Sequence, residues 1–162
     1  MSDLHCPATL LLAPYVEGAE PSAEGSRRLV ERAAVDNVSR IYAGTRSEVA
    51  QTIGAVETRV PATSEQRPEL DGNDVADALS AIADLHRGET VLVLLPVAII
   101  ECTLDLLVGR RARLRRQASM HYGSVVEVAV DADGWLLRTP DTRTDSVPDL
   151  GADREIRDVR AK

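Results

Sequence analysis

The sequence predicts a single α/β domain of three layers, in which helices cover both faces of a mostly parallel sheet and an antiparallel hairpin forms the C-terminal edge. Three observations favour this class. Short apolar runs alternate along the chain with segments of helical periodicity. Thr9–Leu12 and Val91–Leu95 are dominated by leucine and valine, which is typical of buried parallel strands. Asp131-Ala-Asp-Gly134 has the composition of a hairpin turn between two further strands.

A helix and a second strand are expected after the first strand. A polar loop extends to Pro21, and Ser22 is a candidate N-cap because its hydroxyl can accept a hydrogen bond from the first helical turn. Weak alternation over Val38–Ala43 predicts the second strand. The apolar residues of the helix would share one face, namely Leu29, Val30, Ala33 and Ala34.

The middle of the chain predicts a second helix and a third strand. Thr45-Arg-Ser-Glu48 has the S/T-x-x-E form of a capping box, which favours a helix that begins there. Thr58–Val60 is expected to be a short third strand. The segment Pro61–Gly72 contains proline, serine and acidic residues, so we expect a loop.

The second half supplies the remaining elements. A third helix capped by Asn73 or Asp74 is expected, followed by the central strand Val91–Leu95. A fourth helix is predicted over Val97–Val108. The hairpin strands are Ser124–Val130 and Trp135–Arg138.

Composition limits the classes of function. The chain has 162 residues, a net charge of −7 and a pI near 5.0, which suits one domain and argues against general binding to nucleic acid. No spacing of cysteines or histidines predicts a metal site, and no cofactor is expected. Since the chain shows neither a signal-peptide pattern nor an apolar run of roughly 20 residues, a cytoplasmic location is expected. Residues 1–139 are predicted to form the domain, and residues 140–162 a polar, flexible tail.

Four stretches occur in an informative order and spacing: Thr9–Tyr15, Ile41–Thr52, Gly88–Glu101 and Gly123–Leu137. Together they resemble the motifs of the histidine phosphatase superfamily, the group with the phosphoglycerate mutase-like fold. The resemblance extends from Thr9 to Thr139. It implies the same three-layer α/β architecture for this chain.

The resemblance also implies a phosphate pocket, from which this chain departs. Members of the family attack phosphorus with one histidine and hold the phosphoryl oxygens with a second histidine and two arginines. The matching positions here are Pro14 for the nucleophile, Pro96 for the second histidine, and Ala13 and Glu48 for the arginines. Proline supplies neither a nucleophile nor an N–H donor. Glu69 lies where the family often places its acid.

These departures predict a catalytically inactive protein that acts by binding a protein partner or a small ligand. The expected pocket comprises Ala13, Pro14, Tyr15, Arg46, Glu48, Glu69, Pro96 and Val97. An alternative is an enzyme with a repurposed pocket, in which Tyr15, Glu48 and Glu69 perform acid–base chemistry on an uncharged or cationic substrate. Structural interpretations stay open as well, because Glu48 can complete the capping box and Tyr15 can fill the space left by the lost side chains.

A run of arginines follows the fourth predicted helix and comprises Arg110, Arg111, Arg113, Arg115 and Arg116. A charge run is usually a solvated face, and cations are favoured at a helix C-terminus. The alternative is a docking patch for an acidic partner protein or for nucleic acid, although the acidic total charge weakens the nucleic-acid version. A homodimer is a further hypothesis, and association with a membrane is not expected.

Overall fold

The strands of the computed structural model are β1 (Ala8–Pro14), β2 (Arg40–Ala43), β3 (Thr63–Gln66), β4 (Thr90–Leu95), β5 (Val126–Asp131) and β6 (Gly134–Arg138). The structure describes residues 6–16, 20–72, 74–107 and 122–138. The six strands form one sheet in the order β3-β2-β4-β1-β5-β6. The first four in this order run parallel, whereas β5 is antiparallel to β1 and β6 is antiparallel to β5. The mixed sheet confirms the predicted fold class and its C-terminal hairpin.

Helices cover both faces of the sheet: α1 (Ala23–Val35), α2 (Val49–Glu57), α3 (Val75–Leu85) and α4 (Val97–Leu107). Leu29 of α1 shares a buried cluster with Leu11 of β1. Leu79 of α3 shares a second cluster with Leu10, the neighbouring β1 residue. Because successive strand residues point to opposite faces, α1 and α2 cover one face and α3 and α4 the other. The three predicted layers are therefore present.

The predicted N-cap of α1 is confirmed, and its buried face is narrower than expected. Ser22 Oγ accepts a hydrogen bond from Gly25 N at 3.1 Å, which satisfies one free amide of the first turn. Leu29 and Ala33 are buried, whereas Ala34 is exposed. The core therefore contacts one stripe of the helix, at a spacing of four residues.

The predicted capping box is wrong. α2 begins at Val49, and Glu48 is its N-cap with no side-chain capping bond. Thr45 instead donates two hydrogen bonds to Asp71 Oδ2, one from its amide N and one from its hydroxyl, each at 2.6 Å. A capping box would direct the Thr45 amide to the Glu48 carboxylate and use the Thr45 hydroxyl as an acceptor, whereas here both groups donate to Asp71.

The third strand lies later than predicted. Thr58 and Val60 follow the end of α2, where their amides donate back to Gly54 O at 3.2 Å and Val56 O at 2.9 Å. Those donors are therefore unavailable to a sheet. The strand is β3, inside the segment expected to be a loop, and its residues are polar because it is the outer strand beside β2.

The hairpin turn is held by its first residue. Asp131 Oδ1 accepts hydrogen bonds from the amides of Asp133 and Gly134 at 2.8 and 3.1 Å. This side-chain bonding fixes the register in which Val130 pairs with Trp135. None of the helices in the described ranges has the length and apolar character that a bilayer-spanning segment requires.

Candidate functional site

The carboxyl ends of β1 and β4 meet at one edge of the sheet, which is where ligands collect in open α/β folds. Pro14 is the last residue of β1 and pairs in register with Leu95, and Pro96 follows directly. The carbonyl of Pro96 accepts a hydrogen bond from Ile100 N at 3.0 Å, so Pro96 directly precedes the first turn of α4. The two prolines therefore occupy neighbouring strand ends, at the edge where the resemblance implies a phosphate pocket.

An open cleft of about 700 Å³ lies at this edge. It is lined by Tyr15, Arg46, Asp71, Pro96, Val97, Ala98, Ile99 and Glu101. The structure thus brings together Tyr15, Arg46, Pro96 and Val97 of the residues named from the sequence. Tyr15 is 4% exposed and belongs to the core cluster under α1 and α2. Its ring is therefore both part of the core and a wall of the cleft.

The other residues named for the pocket lie outside this lining. Ala13 and Pro14 are buried, and Ala13 packs in the core. Glu48 is exposed at the start of α2, and Glu69 is exposed on a 3₁₀ turn over Pro68–Asp71. The structure therefore does not assemble Tyr15, Glu48 and Glu69 in the cleft.

Asp71 is a cleft residue that the sequence reasoning missed. Its carboxylate is held by the two bonds from Thr45 and rests on Gly44, where any Cβ atom would overlap Asp71 Oδ1. The 3₁₀ turn and the end of β2 are thus locked together beside the cleft. The available signal was Gly44, because a glycine at the end of a strand often marks a close approach by another group.

The first turn of α1 packs against the segment that leads into β5. Ser26 Oγ and the Tyr122 hydroxyl are joined by a hydrogen bond of 2.8 Å. Gly123 has a φ of +95°, and a Cβ atom there would lie 2.9 Å from Gly25 Cα. This contact requires glycine, and it fixes the N-terminus of α1 at the carboxyl end of the sheet.

A polar network lies at the other end of the parallel strands. His86 follows α3, and its Nε2 is 2.7 Å from the Tyr42 hydroxyl, while its Nδ1 is 2.9 Å from Glu89 Oε2. The Ser39 hydroxyl donates to the same carboxylate oxygen at 3.1 Å. The hydrogen bond from His86, followed by that from Ser39, holds the pKa of Glu89 below its ordinary value. A neutral imidazole with its proton on Nδ1 satisfies both neighbours of His86.

Two other predictions concern the arginine run and metal binding. The run Arg110, Arg111, Arg113, Arg115 and Arg116 lies outside the described residues, so the docking patch stays a prediction. Within the described ranges, no three His, Cys, Asp or Glu side chains are grouped so that they could hold a metal ion.

Comparison with known proteins identifies the fold. No family model matches the chain, and no curated protein matches it in sequence. Among solved structures, YhfR of Bacillus stearothermophilus aligns with 82% of this chain and 96% of its own length, at 16% identity and a TM-score of 0.64.

Two further structures agree. A candidate phosphohistidine phosphatase SixA from Agrobacterium tumefaciens aligns with 82% of this chain and 97% of its own, at 15% identity and a TM-score of 0.62. Phosphoglycerate mutase from Plasmodium falciparum aligns with 85% and 92%, at 16% identity and a TM-score of 0.58. Sequence identities this low establish architecture and leave the activity open. The chain has the fold of the histidine phosphatases.

Proposed function

We propose that this chain is a binding protein built on the histidine phosphatase fold, which takes a small ligand or a side chain of a partner protein into the cleft and does not transfer phosphoryl groups. The observation that supports this most is the pair of prolines at neighbouring strand ends, Pro14 and Pro96. Neither offers a nucleophile or an N–H to a phosphoryl oxygen. Loss of the nucleophile alone costs on the order of 10⁶ in rate in a serine protease.

The charges of the cleft also disfavour phosphate. Its lining has one arginine, Arg46, against two carboxylates, Asp71 and Glu101. A carboxylate about 4 Å from a phosphoryl oxygen repels it by roughly 1–4 kcal/mol per pair of unit charges. The bonds from Thr45 hold Asp71 in place, so this carboxylate cannot withdraw without breaking them.

A neutral or cationic group suits the cleft better. Pro96, Val97 and Ile99 provide an apolar surface, and charged groups belong to the same lining. The volume of about 700 Å³ is in the range of small-molecule sites, which combine apolar walls with a few polar groups. We expect the bound group to place an apolar part on α4 and a donor or a positive charge towards the carboxylates.

Two measurements test the proposal. The first is incubation with ³²P-labelled phosphomonoesters, with an active histidine phosphatase as positive control. We expect neither turnover nor a labelled protein, and a phosphoenzyme formed at the rate of the control would contradict the proposal.

The second measurement locates the binding. Native mass spectrometry of the protein, gently captured from a lysate of its host, is compared between the wild type and two variants. Ala98→Trp fills the cleft, whereas Ala34→Trp places the same bulk on the exposed side of α1. Loss of the bound species in Ala98→Trp alone supports the proposal. Equal retention in both variants refutes binding in the cleft.

A second candidate function is acid–base catalysis on an uncharged or cationic substrate in the same cleft. The observation that favours it is the presence of Tyr15 with two carboxylates in one lining. The roles assigned from the sequence to Glu48 and Glu69 would pass to Asp71 and Glu101. Once native mass spectrometry gives a ligand mass, Glu101→Gln would abolish conversion of that ligand if this candidate is right, and Glu69→Gln would not.

A further inference from the structure

The two outer strands of the sheet have opposite character. β3 has only polar side chains, in the order Thr-Ser-Glu-Gln, and Pro68 follows within two residues. β6 reads Gly-Trp-Leu-Leu-Arg, and its Leu136 is 64% exposed. Natural proteins protect outer strands with charges, prolines or bulges because an open strand edge can pair with another chain. β3 has these safeguards, whereas in β6 only the terminal Arg138 is charged.

In the part of the chain that the structure describes, the outer edge of β6 pairs with no strand. Along its inner edge β6 pairs with β5 from Gly134 to Arg138. No other described strand lies beyond it in the sheet. Trp135 and Leu137 are half-buried against the core cluster of α3 and α4, so parts of both side chains remain exposed.

We propose that β6 pairs antiparallel with β6 of a second copy of this chain, with Leu136 on the two-fold axis. In this register Leu136 lies opposite Leu136 of the second copy, Trp135 lies opposite Leu137, and Gly134 lies opposite Arg138. Each apolar side chain meets an apolar side chain on its own face, and the two like charges are not opposed. The two sheets join into one continuous sheet with closed two-fold symmetry.

The sequence of β6 indicates that its pairing partner is β6 of a second copy of the chain. The strand has a leucine at its centre, an apolar residue on each side of it, a glycine at one end and an arginine at the other. When such a strand pairs with an antiparallel copy of itself, apolar residues lie opposite apolar residues and glycine lies opposite arginine. Arg138 is already paired with Glu127 at 3.1 Å, so its charge is balanced within its own protomer. The segment after β6 is a poor competitor, because residues 139–162 contain Pro140 and Pro148 and no run of apolar residues.

Site-directed cross-linking tests the register. The two exposed cysteines are first replaced, giving a Cys6→Ser, Cys102→Ser background. Leu136→Cys is added in one protein and Ser64→Cys, on the polar outer strand β3, in the matched control. Directly opposed residues of an antiparallel pair have Cα atoms about 4.5–5.5 Å apart, which a disulfide can bridge. We expect a covalent dimer under mild oxidation for position 136 only.

Sedimentation and fluorescence give an independent readout. The chain has one tryptophan, Trp135. Dilution that dissociates the dimer should change the fluorescence emission of this residue, because the edge of β6 is then exposed to water. Leu136→Lys should weaken association by about tenfold or more, since it removes the leucine pair and opposes two positive charges. Circular dichroism checks that this variant is folded.

The outcomes are decisive. Cross-linking at position 136, with association reduced by Leu136→Lys, supports the proposal. A protein that remains monomeric at hundreds of micromolar overturns it. So does an edge of β6 that is covered by its own chain or by another protein. A dimer that cross-links at position 64, or that tolerates Leu136→Lys, overturns it equally.

Discussion

The two ends of the parallel strands are held together by different means. At the carboxyl end the contacts are close approaches of the backbone: Gly123 against Gly25, and Gly44 under Asp71. At the amino end a chain of polar side chains, Tyr42, His86 and Glu89, joins β2 to β4 and α3. The comparison teaches that the position of a histidine in the sheet decides whether it serves the structural network or the cleft. His86, which is buried and hydrogen-bonded, is at the end opposite the cleft, and the cleft edge has prolines where the family resemblance implies histidines.

The largest expected effect is at the carboxyl end. Gly123→Ala combines a φ of +95° with a Cβ atom 2.9 Å from Gly25 Cα, and backbone atoms cannot move aside cheaply. We expect a loss of about 2–4 kcal/mol in the free energy of unfolding, measured by urea denaturation. Gly134→Ala is the matched control, because its φ is +135° and nothing lies within 4 Å of its added Cβ. An equal loss in both variants would show that backbone strain alone is responsible and that the close contact contributes nothing.

The next largest effect comes from comparing two tyrosine hydroxyls, one at each end of the parallel strands. Tyr42 is 2% exposed, so Tyr42→Phe removes a buried partner of His86. We expect a loss of about 1–3 kcal/mol, since a buried polar group is left without its hydrogen bond. Tyr122→Phe removes the half-buried bond to Ser26 and should cost less, because water can replace that partner.

A double-mutant cycle sharpens this comparison. Tyr42→Phe combined with His86→Leu should show a coupling energy of about 0.5–3 kcal/mol, because the two side chains belong to one network. If the losses of the single variants simply add, the network at the amino end has no cooperative role.

A smaller effect is expected for the two hydrogen bonds that join Thr45 to Asp71 beside the cleft. Asp71→Ala removes the one oxygen that accepts both hydrogen bonds from Thr45, and it should lower the free energy of unfolding by about 0.5–1.5 kcal/mol, since the bonds are exposed to water. Glu69→Ala, an exposed carboxylate on the same 3₁₀ turn, should change it by no more than about 0.5 kcal/mol. Equal losses by thermal denaturation would mean that Asp71 does not fasten the turn.

The sequence predicted the elements whose signal is local. The central strands are leucine-rich because both faces are buried, and Ser22 and Asp131 bond within three residues of themselves. β3 was missed because an outer strand has little apolar surface to bury, so its pattern resembles a loop. Asp71 was missed because its partner Thr45 is 26 residues away, and only the folded chain brings the two together. Pro14 and Pro96, by contrast, could be placed at neighbouring strand ends as soon as their strands were placed.

The smallest expected effect is the pH dependence of the amino end. The pKa of Glu89 is held below its ordinary value of 4.5, first by the hydrogen bond from His86 and then by that from Ser39. A carboxylate whose pKa is depressed by folding stabilises the folded state fully above the unfolded pKa, and this contribution is lost as pH falls through the folded pKa. The free energy of unfolding should therefore fall below pH 4.5 more steeply in the wild type than in Glu89→Gln. Ser39→Ala should give an intermediate slope, because the bond from His86 remains. Parallel curves for the wild type and Glu89→Gln in acid would show that the ionised form of Glu89 contributes nothing to holding the amino end together.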